Sequence, residues 1–357
     1  MRPFCLLWLL PGALALAAER PAKNVVLFLG DGTGPATVNA ASIYGYRAPR
    51  QLFIQNLPHI GLSETSSASS WVSDSASGMT AIVTGRKTHN GVISQSDSAE
   101  RGVRDGEPLK TILEYAEERG LSTGVVSNSQ MADATLAACY AHANDRSKHG
   151  EIFAQVLEPR FGDGVDVIIG PGRTTILEAT RKIGIELESA LPRKGFQFAD
   201  SLEAAPAGAR RLVVLFPGSR VDLAAATERA IDILARNPKG FFLMVESNNH
   251  SKDVVQTLER TVVFDRIIRR AAERLGDDTL ILFTADHSFD LRLPRGRKGE
   301  SIVENVKVDG SHTAEEVLVA ARGPGAQRVR GILPNTELFH IMMAAYGWKE
   351  GASSVAR

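Results

Sequence analysis

Carboxylates, imidazoles and hydroxyls in this sequence fall just beyond its apolar runs. After "NVVLFL" the chain continues Gly30-Asp31-Gly32-Thr33-Gly34. After "FFLMV" comes Glu246, then Asn248, Asn249 and His250. Asp286 and His287 follow "LILFTA", Ser311 and His312 precede "VLVAA", and Asp133 and Thr135 lie beyond "TGVVS". A lone Asp at such a place is a turn residue. Several on one edge would repel and lose solvation unless something cationic bound there. Mixed Asp, Glu, His and hydroxyl donors suit zinc and magnesium. Gly30 and Gly32 flank Asp31 and let the backbone approach a ligand closely. "GDGTG" is neither a dinucleotide fingerprint nor a phosphate-binding P-loop, because both spacings are wrong.

These residues share an edge only if the apolar runs pair. The runs span 24–30, 123–127, 165–170, 211–216, 240–246, 279–285 and 315–321. They are short, continuous and rich in β-branched residues, which suits strands buried on both faces. Amphipathic segments at 109–120, 221–237 and 253–276 read as helices. The alternation predicts an α/β fold: a doubly wound, mostly parallel central sheet with helices on both faces. Ligands in such sheets collect at the carboxyl ends of the strands.

Composition narrows the partners. Lys and Arg number 41, as do Asp and Glu, so a neutral chain has no electrostatic reason to bind nucleic acid or an anionic membrane. Arg2 precedes an apolar run ending in Ala15-Leu16-Ala17, which reads as a signal peptide cut after Ala17. Residues 1–17 are therefore expected to leave, with export to the periplasm or the extracellular space and no stable membrane anchor. Cys5 would leave with them, and Cys139, in "LAACYA", would remain as a lone buried cysteine.

Positions 63–77 hold eight serines. Composition alone reads them as a flexible linker. The block "VSDSASGMTA" says otherwise, because it is similar to the nucleophile signature of the alkaline phosphatase family. The resemblance extends from about Asn24 to Trp348 and implies Ser75 as the serine that is phosphorylated. It implies one zinc on Asp31, Asp286 and His287, and a magnesium on Asp31, Thr135 and Glu246. Asp133 would neighbour the magnesium, and Arg146 would grip the phosphate. His312, in "GSHTAEEV", matches a histidine of the other zinc site. Co²⁺ or Ca²⁺ substitution stays open, as does a homodimer.

One segment departs from the family pattern. The family places an Asp and then a His after the Glu, at positions that are Ser251 and Val255 here. His250 and Asp253 stand nearby and would restore one His and one carboxylate, and i, i+3 spacing can put both on one face of a helix start, so they are expected to complete the zinc site of His312; the alternative is that Asp253 caps the long helix and His250 is a loop residue. Only 24 residues separate His287 from His312, too few for the extra surface domain of the animal enzymes. Residues 18–357 are expected to form one compact, bacterial-type catalytic domain. The implied reaction is hydrolysis of small phosphate monoesters through a phosphoserine, using two zinc ions and one magnesium. A phosphodiesterase or phosphonate hydrolase of the same superfamily, or a non-catalytic metal- or phosphate-binding relative, stays open. A sulfatase is disfavoured, because no Cys/Ser-x-Pro/Ala-x-Arg setting surrounds Ser75.

Overall fold

The computed structural model describes residues 20–349, so the expected signal peptide lies outside the described residues. Its strands are β1 (Asn24–Asp31), β2 (His59–Ser63), β3 (Ser122–Ser127), β4 (Val167–Pro171), β5 (Gln197–Ala199), β6 (Leu212–Phe216), β7 (Phe241–Asn248), β8 (Thr279–Thr284), β9 (Ser288–Arg292), β10 (Lys307–Thr313), β11 (Val317–Arg322) and β12 (Gly331–Leu333). Its helices are α1 (Pro35–Tyr46), α2 (Ser75–Thr84), α3 (Ile112–Glu118), α4 (Ala134–Tyr140), α5 (His149–Ala154), α6 (Arg173–Lys182), α7 (Leu187–Arg193), α8 (Leu223–Leu234), α9 (Val254–Leu275) and α10 (Glu337–Ala345).

Ten strands form one sheet in the order β12-β2-β11-β8-β1-β7-β3-β4-β6-β5. Only β11 runs against its neighbours, β2 and β8, and the other pairings are parallel. The mostly parallel expectation holds, and each apolar run named above becomes a strand. β1 shows why those runs lack alternation. Val25, Leu27 and Leu29 enter one core with Met79 and Ile82 of α2, Leu136 of α4 and Phe339 of α10. Val26 and Phe28 enter a second core with Val38 of α1, Ile231 of α8 and Phe264 of α9. Both faces are covered, so every position must be apolar.

β9 and β10 form a separate antiparallel ribbon. "KVDGSHT" has no apolar run, so nothing in its composition marks it as a strand. His312 therefore lies within β10, opposite Phe289. The interval from His287 to His312 contains this ribbon and one short turn of 3₁₀ helix at Val303–Asn305.

One buried group of the fold has a measurable consequence. Glu117, at 3% exposure, accepts from the Thr123 hydroxyl, and its other oxygen has no partner. Burial pushes its carboxyl up to about 9, with Asp166 and Asp163 adding like charge. The folded form thus holds a proton that the unfolded chain releases at lower pH. Its contribution to stability is complete below the unfolded value and is lost as pH rises toward 9. Glu117→Gln should therefore gain melting temperature over the parent between about pH 6 and pH 9. Thermal denaturation across that range checks this, and a constant difference would contradict it.

Candidate active site and cation centre

β8, β1 and β7 lie side by side, and their carboxyl ends carry the acidic groups. Glu246 stands level with Leu29 on one side and Ser127 on the other. Asp31 ends β1, and Asp286 lies two residues beyond the end of β8. Parallel register thus brings three carboxylates from distant sequence to one edge.

Asp31, Asp286 and His287 each offer one ligand atom within 4.8 Å of the others. His287 Nε2 lies 3.3 Å from Asp31 Oδ1 and 3.4 Å from Asp286 Oδ2. His287 Nδ1 lies 3.1 Å from the Ser288 carbonyl, which fixes that nitrogen as the donor and leaves Nε2 with a lone pair. His250 Nε2 approaches Asp31 Oδ1 at 3.2 Å. Asp31 Oδ1 and Asp286 Oδ2 are nonetheless buried without a properly formed hydrogen bond. Buried carboxylate oxygens left this way are costly unless a cation faces them.

The electrostatics agree. Burial would raise Asp31, but the close contact and charge of His250, with His287 and His312, hold its carboxyl well below the usual range. Burial and the charge of Asp31 push Asp286 up to about 6. Glu246 is raised well above the usual range by burial and by Asp31. Like charges crowded into one dry site repel in this way, and a bound dication would remove the conflict. Asp31, Asp286 and His287 therefore fit a zinc-type ion.

Ser75 is the first residue of α2 and only 4% exposed. Its Oγ lies 3.3 Å from His287 Nε2. Asp74 caps the helix by accepting from the Ser77 N–H at 3.1 Å. Gly85 ends it in the left-handed region at φ 71°. Gly78 packs against Asp286, since a Cβ there would meet the Asp286 carbonyl oxygen at 2.6 Å. The helix that begins at Ser75 and the carboxylate edge are thus in direct contact.

Arg146 donates from one terminal nitrogen to Asp74 at 3.1 Å and from the other to Asp133 at 2.8 Å. Asp133 also caps α4, and Thr135 is buried in the first turn of that helix. Asp74 does more than cap α2. Its carboxylate also accepts from Gly91 N–H and orients Arg146. Sequence reasoning missed Ser127, whose hydroxyl donates to Glu246. Its place at the end of the "TGVVS" run was the available signal. His142 bonds Ser94 and Glu114 away from these groups, as a structural histidine does.

The two residues expected to complete the zinc site of His312 stand differently. His250 reaches the cluster, with its ring centroid 6.0 Å from His287 and 5.9 Å from His312. Asp253 does not. It is exposed at the N-cap of α9, where its carboxylate accepts the Gln256 N–H at 3.1 Å. A 22-residue helix starting one residue later claims the carboxylate for its own free amides.

Comparison with known proteins follows the same lines. The alkaline phosphatase family model matches residues 22–196 and 219–309. The chain is 32% identical to the streptomycin-6-phosphate phosphatase of Streptomyces griseus, over 94% of both chains. It is 29% identical to the alkaline phosphatase of Escherichia coli K12, over 93% of this chain and 88% of that one. Its fold is similar to that of the alkaline phosphatase from the Antarctic bacterium TAB5, with a TM-score of 0.78 and 26% identity over 93% of this chain and all of that one. A mutant of the TAB5 enzyme, with a TM-score of 0.75, has Mg bound in its M3 site.

Proposed function

Because this chain belongs to the alkaline phosphatase family, we propose that it hydrolyses small phosphate monoesters, with Ser75 as the nucleophile. The observation that carries this reading is Ser75 Oγ, buried at a helix start and 3.3 Å from His287 Nε2 beside two carboxylates. Asp31, Asp286 and His287 would hold one zinc-type ion, and Asp31, Glu246 and Thr135 a magnesium. Bound there, the ions would supply charge that favours the Ser75 alkoxide.

The chain's own groups supply the rest. The first amides of α2 have no helical acceptor and, with the helix dipole, favour a dianion beside Ser75. Asp74 and Asp133 hold Arg146 in a fixed plane, so its remaining N–H groups can grip non-bridging phosphate oxygens in a forked geometry. Ser127 steadies Glu246, and the Ser288 carbonyl fixes the His287 ring. A monoester presents one more charged oxygen to Arg146 than a diester does, which favours monoesters. The arginine and leader-like features of the first 17 residues support an exported phosphate-releasing enzyme. Among the described residues, no helix is long and apolar enough to cross a membrane.

Turnover of p-nitrophenyl phosphate against bis-p-nitrophenyl phosphate tests the reading. The monoester should be preferred by about 100-fold or more in kcat/KM, the scale of a lost charged contact. Activity should vanish with chelator and return with Zn²⁺ and Mg²⁺. Equal or better diester turnover would contradict the assignment.

A further inference from the structure

The two expected zinc sites are unequally built. The first has three converging ligands, Asp31, Asp286 and His287, two of whose oxygens are left without a hydrogen bond. Among the described residues, this is the one group of three or more such side chains with ligand atoms within 4.8 Å. The second has His250 and His312. His312 Nδ1 lies 3.1 Å from the Ser73 carbonyl, which leaves its Nε2 as the free lone pair. His250 presents Nε2 toward Asp31. The His312 ring is in ligand-ready form, and among the described residues no carboxylate forms a three-residue ligand group with these two rings.

The nearby carboxylates are accounted for. Asp253 caps α9. Asp290 and Asp309, on the β9–β10 ribbon, are both paired with Arg292. Asp31 Oδ1 lies 3.2 Å from His250 Nε2 and 3.3 Å from His287 Nε2, and it already belongs to the three-residue group with Asp286 and His287. A catalytic zinc ordinarily has three protein ligands, so two histidines make an incomplete site. That site is open toward the nucleophile. His312 stacks on His287 at 3.6 Å between ring centroids, and His287 lies 3.3 Å from Ser75 Oγ.

We infer that this chain has one closed cation site, at Asp31, Asp286 and His287, and one half-site, at His250 and His312, whose missing ligands are phosphate oxygens. The closed site binds zinc without help. The half-site binds zinc weakly, and phosphate and the second ion bind together, each raising the affinity of the other. This rests on the phosphatase reading only for the identity of the anion.

The test is zinc titration of the metal-stripped protein in excess Mg²⁺, by calorimetry and by elemental analysis after gel filtration. One zinc per chain should stay through gel filtration. A second should bind more than about 100-fold more weakly, since losing even an outer partner costs that much. Saturating inorganic phosphate should tighten the second by about tenfold or more. His250→Ala and His312→Ala should each lose the weak zinc and keep the tight one. Asp253→Asn, which still caps α9, should change neither. Two tight zincs without phosphate, or loss of the second in Asp253→Asn, would overturn the half-site. A weak second zinc indifferent to phosphate would overturn its completion by phosphate. The full metal pattern without monoester turnover would instead sink the proposed activity and leave the half-site standing.

Discussion

Ser75→Ala is expected to lower monoester turnover by about 10⁴-fold or more, the scale seen when a serine nucleophile is removed. The substitution deletes only the Oγ that lies 3.3 Å from His287. Ala suits the first turn of a helix, and the Asp74 cap does not involve the Ser75 side chain, so the fold should persist. Zinc and magnesium content should stay close to the parent's, because the carboxylates and imidazoles are untouched. Ser73→Ala is the control. Its hydroxyl makes one long bond, 3.3 Å, to the Asp286 carbonyl. Losing that costs about 1 kcal/mol and should change turnover by less than about tenfold. An equal collapse in both variants would mean that the serine has been misassigned.

Asp31→Asn should have the next largest effect. The side chain keeps its shape but loses the charge on which the proposed zinc and magnesium sites both depend. Metal affinity should fall well beyond the ~100-fold cost of losing an outer partner, and turnover with it. The stability change should be small without metal and large with it. Without metal, Asp31 and Asp286 repel within one buried cluster, and that repulsion helps push Asp286 up to about 6. Neutralising Asp31 relieves that repulsion but also removes the histidine interactions that hold its carboxyl below the usual range, so stripped Asp31→Asn should melt somewhat lower than stripped parent. Added zinc should raise the parent's melting temperature and leave the variant's almost unchanged, because only a ligand that binds the folded state stabilises it. Parallel thermal melts with and without zinc, with elemental analysis, check both halves. A variant that gains as much from zinc as the parent would contradict a role for Asp31 in holding metal.

Much of this arrangement was legible because buried parallel strands leave a plain mark. β1, β3, β7 and β8 each carry an apolar run, and the residues just past each run lie on the sheet's carboxyl edge. That rule places Asp31, Glu246, Asp286 and His287 together. Thr135 was legible only as a hydroxyl beyond "TGVVS", and its role, like that of Arg146, came from the resemblance. What stayed hidden depends on pairing partners. β10 has one neighbour and an alternation too weak to read, so His312 could be recognised by its motif but not placed in a strand. Asp253 shows a different ambiguity. An aspartate just before a long amphipathic segment serves equally well as a cap or as a ligand, and sequence cannot say which neighbour it meets. The helix amides are adjacent in the chain and always available, and in the structure they take it. Ser127 and Asp74 show the same limit, because their partners lie 119 and 72 residues away.

The most direct measurement of the central claim is acid-quenched labelling. Metal-loaded protein is mixed with a phosphate monoester, stopped with acid within the first turnovers and digested for peptide mass analysis. The expected result is one added phosphoryl group, confined to the peptide carrying Ser75, which disappears on longer incubation without substrate. A phosphoryl group on another residue, or steady turnover with no labelled peptide at any quench time, would contradict it.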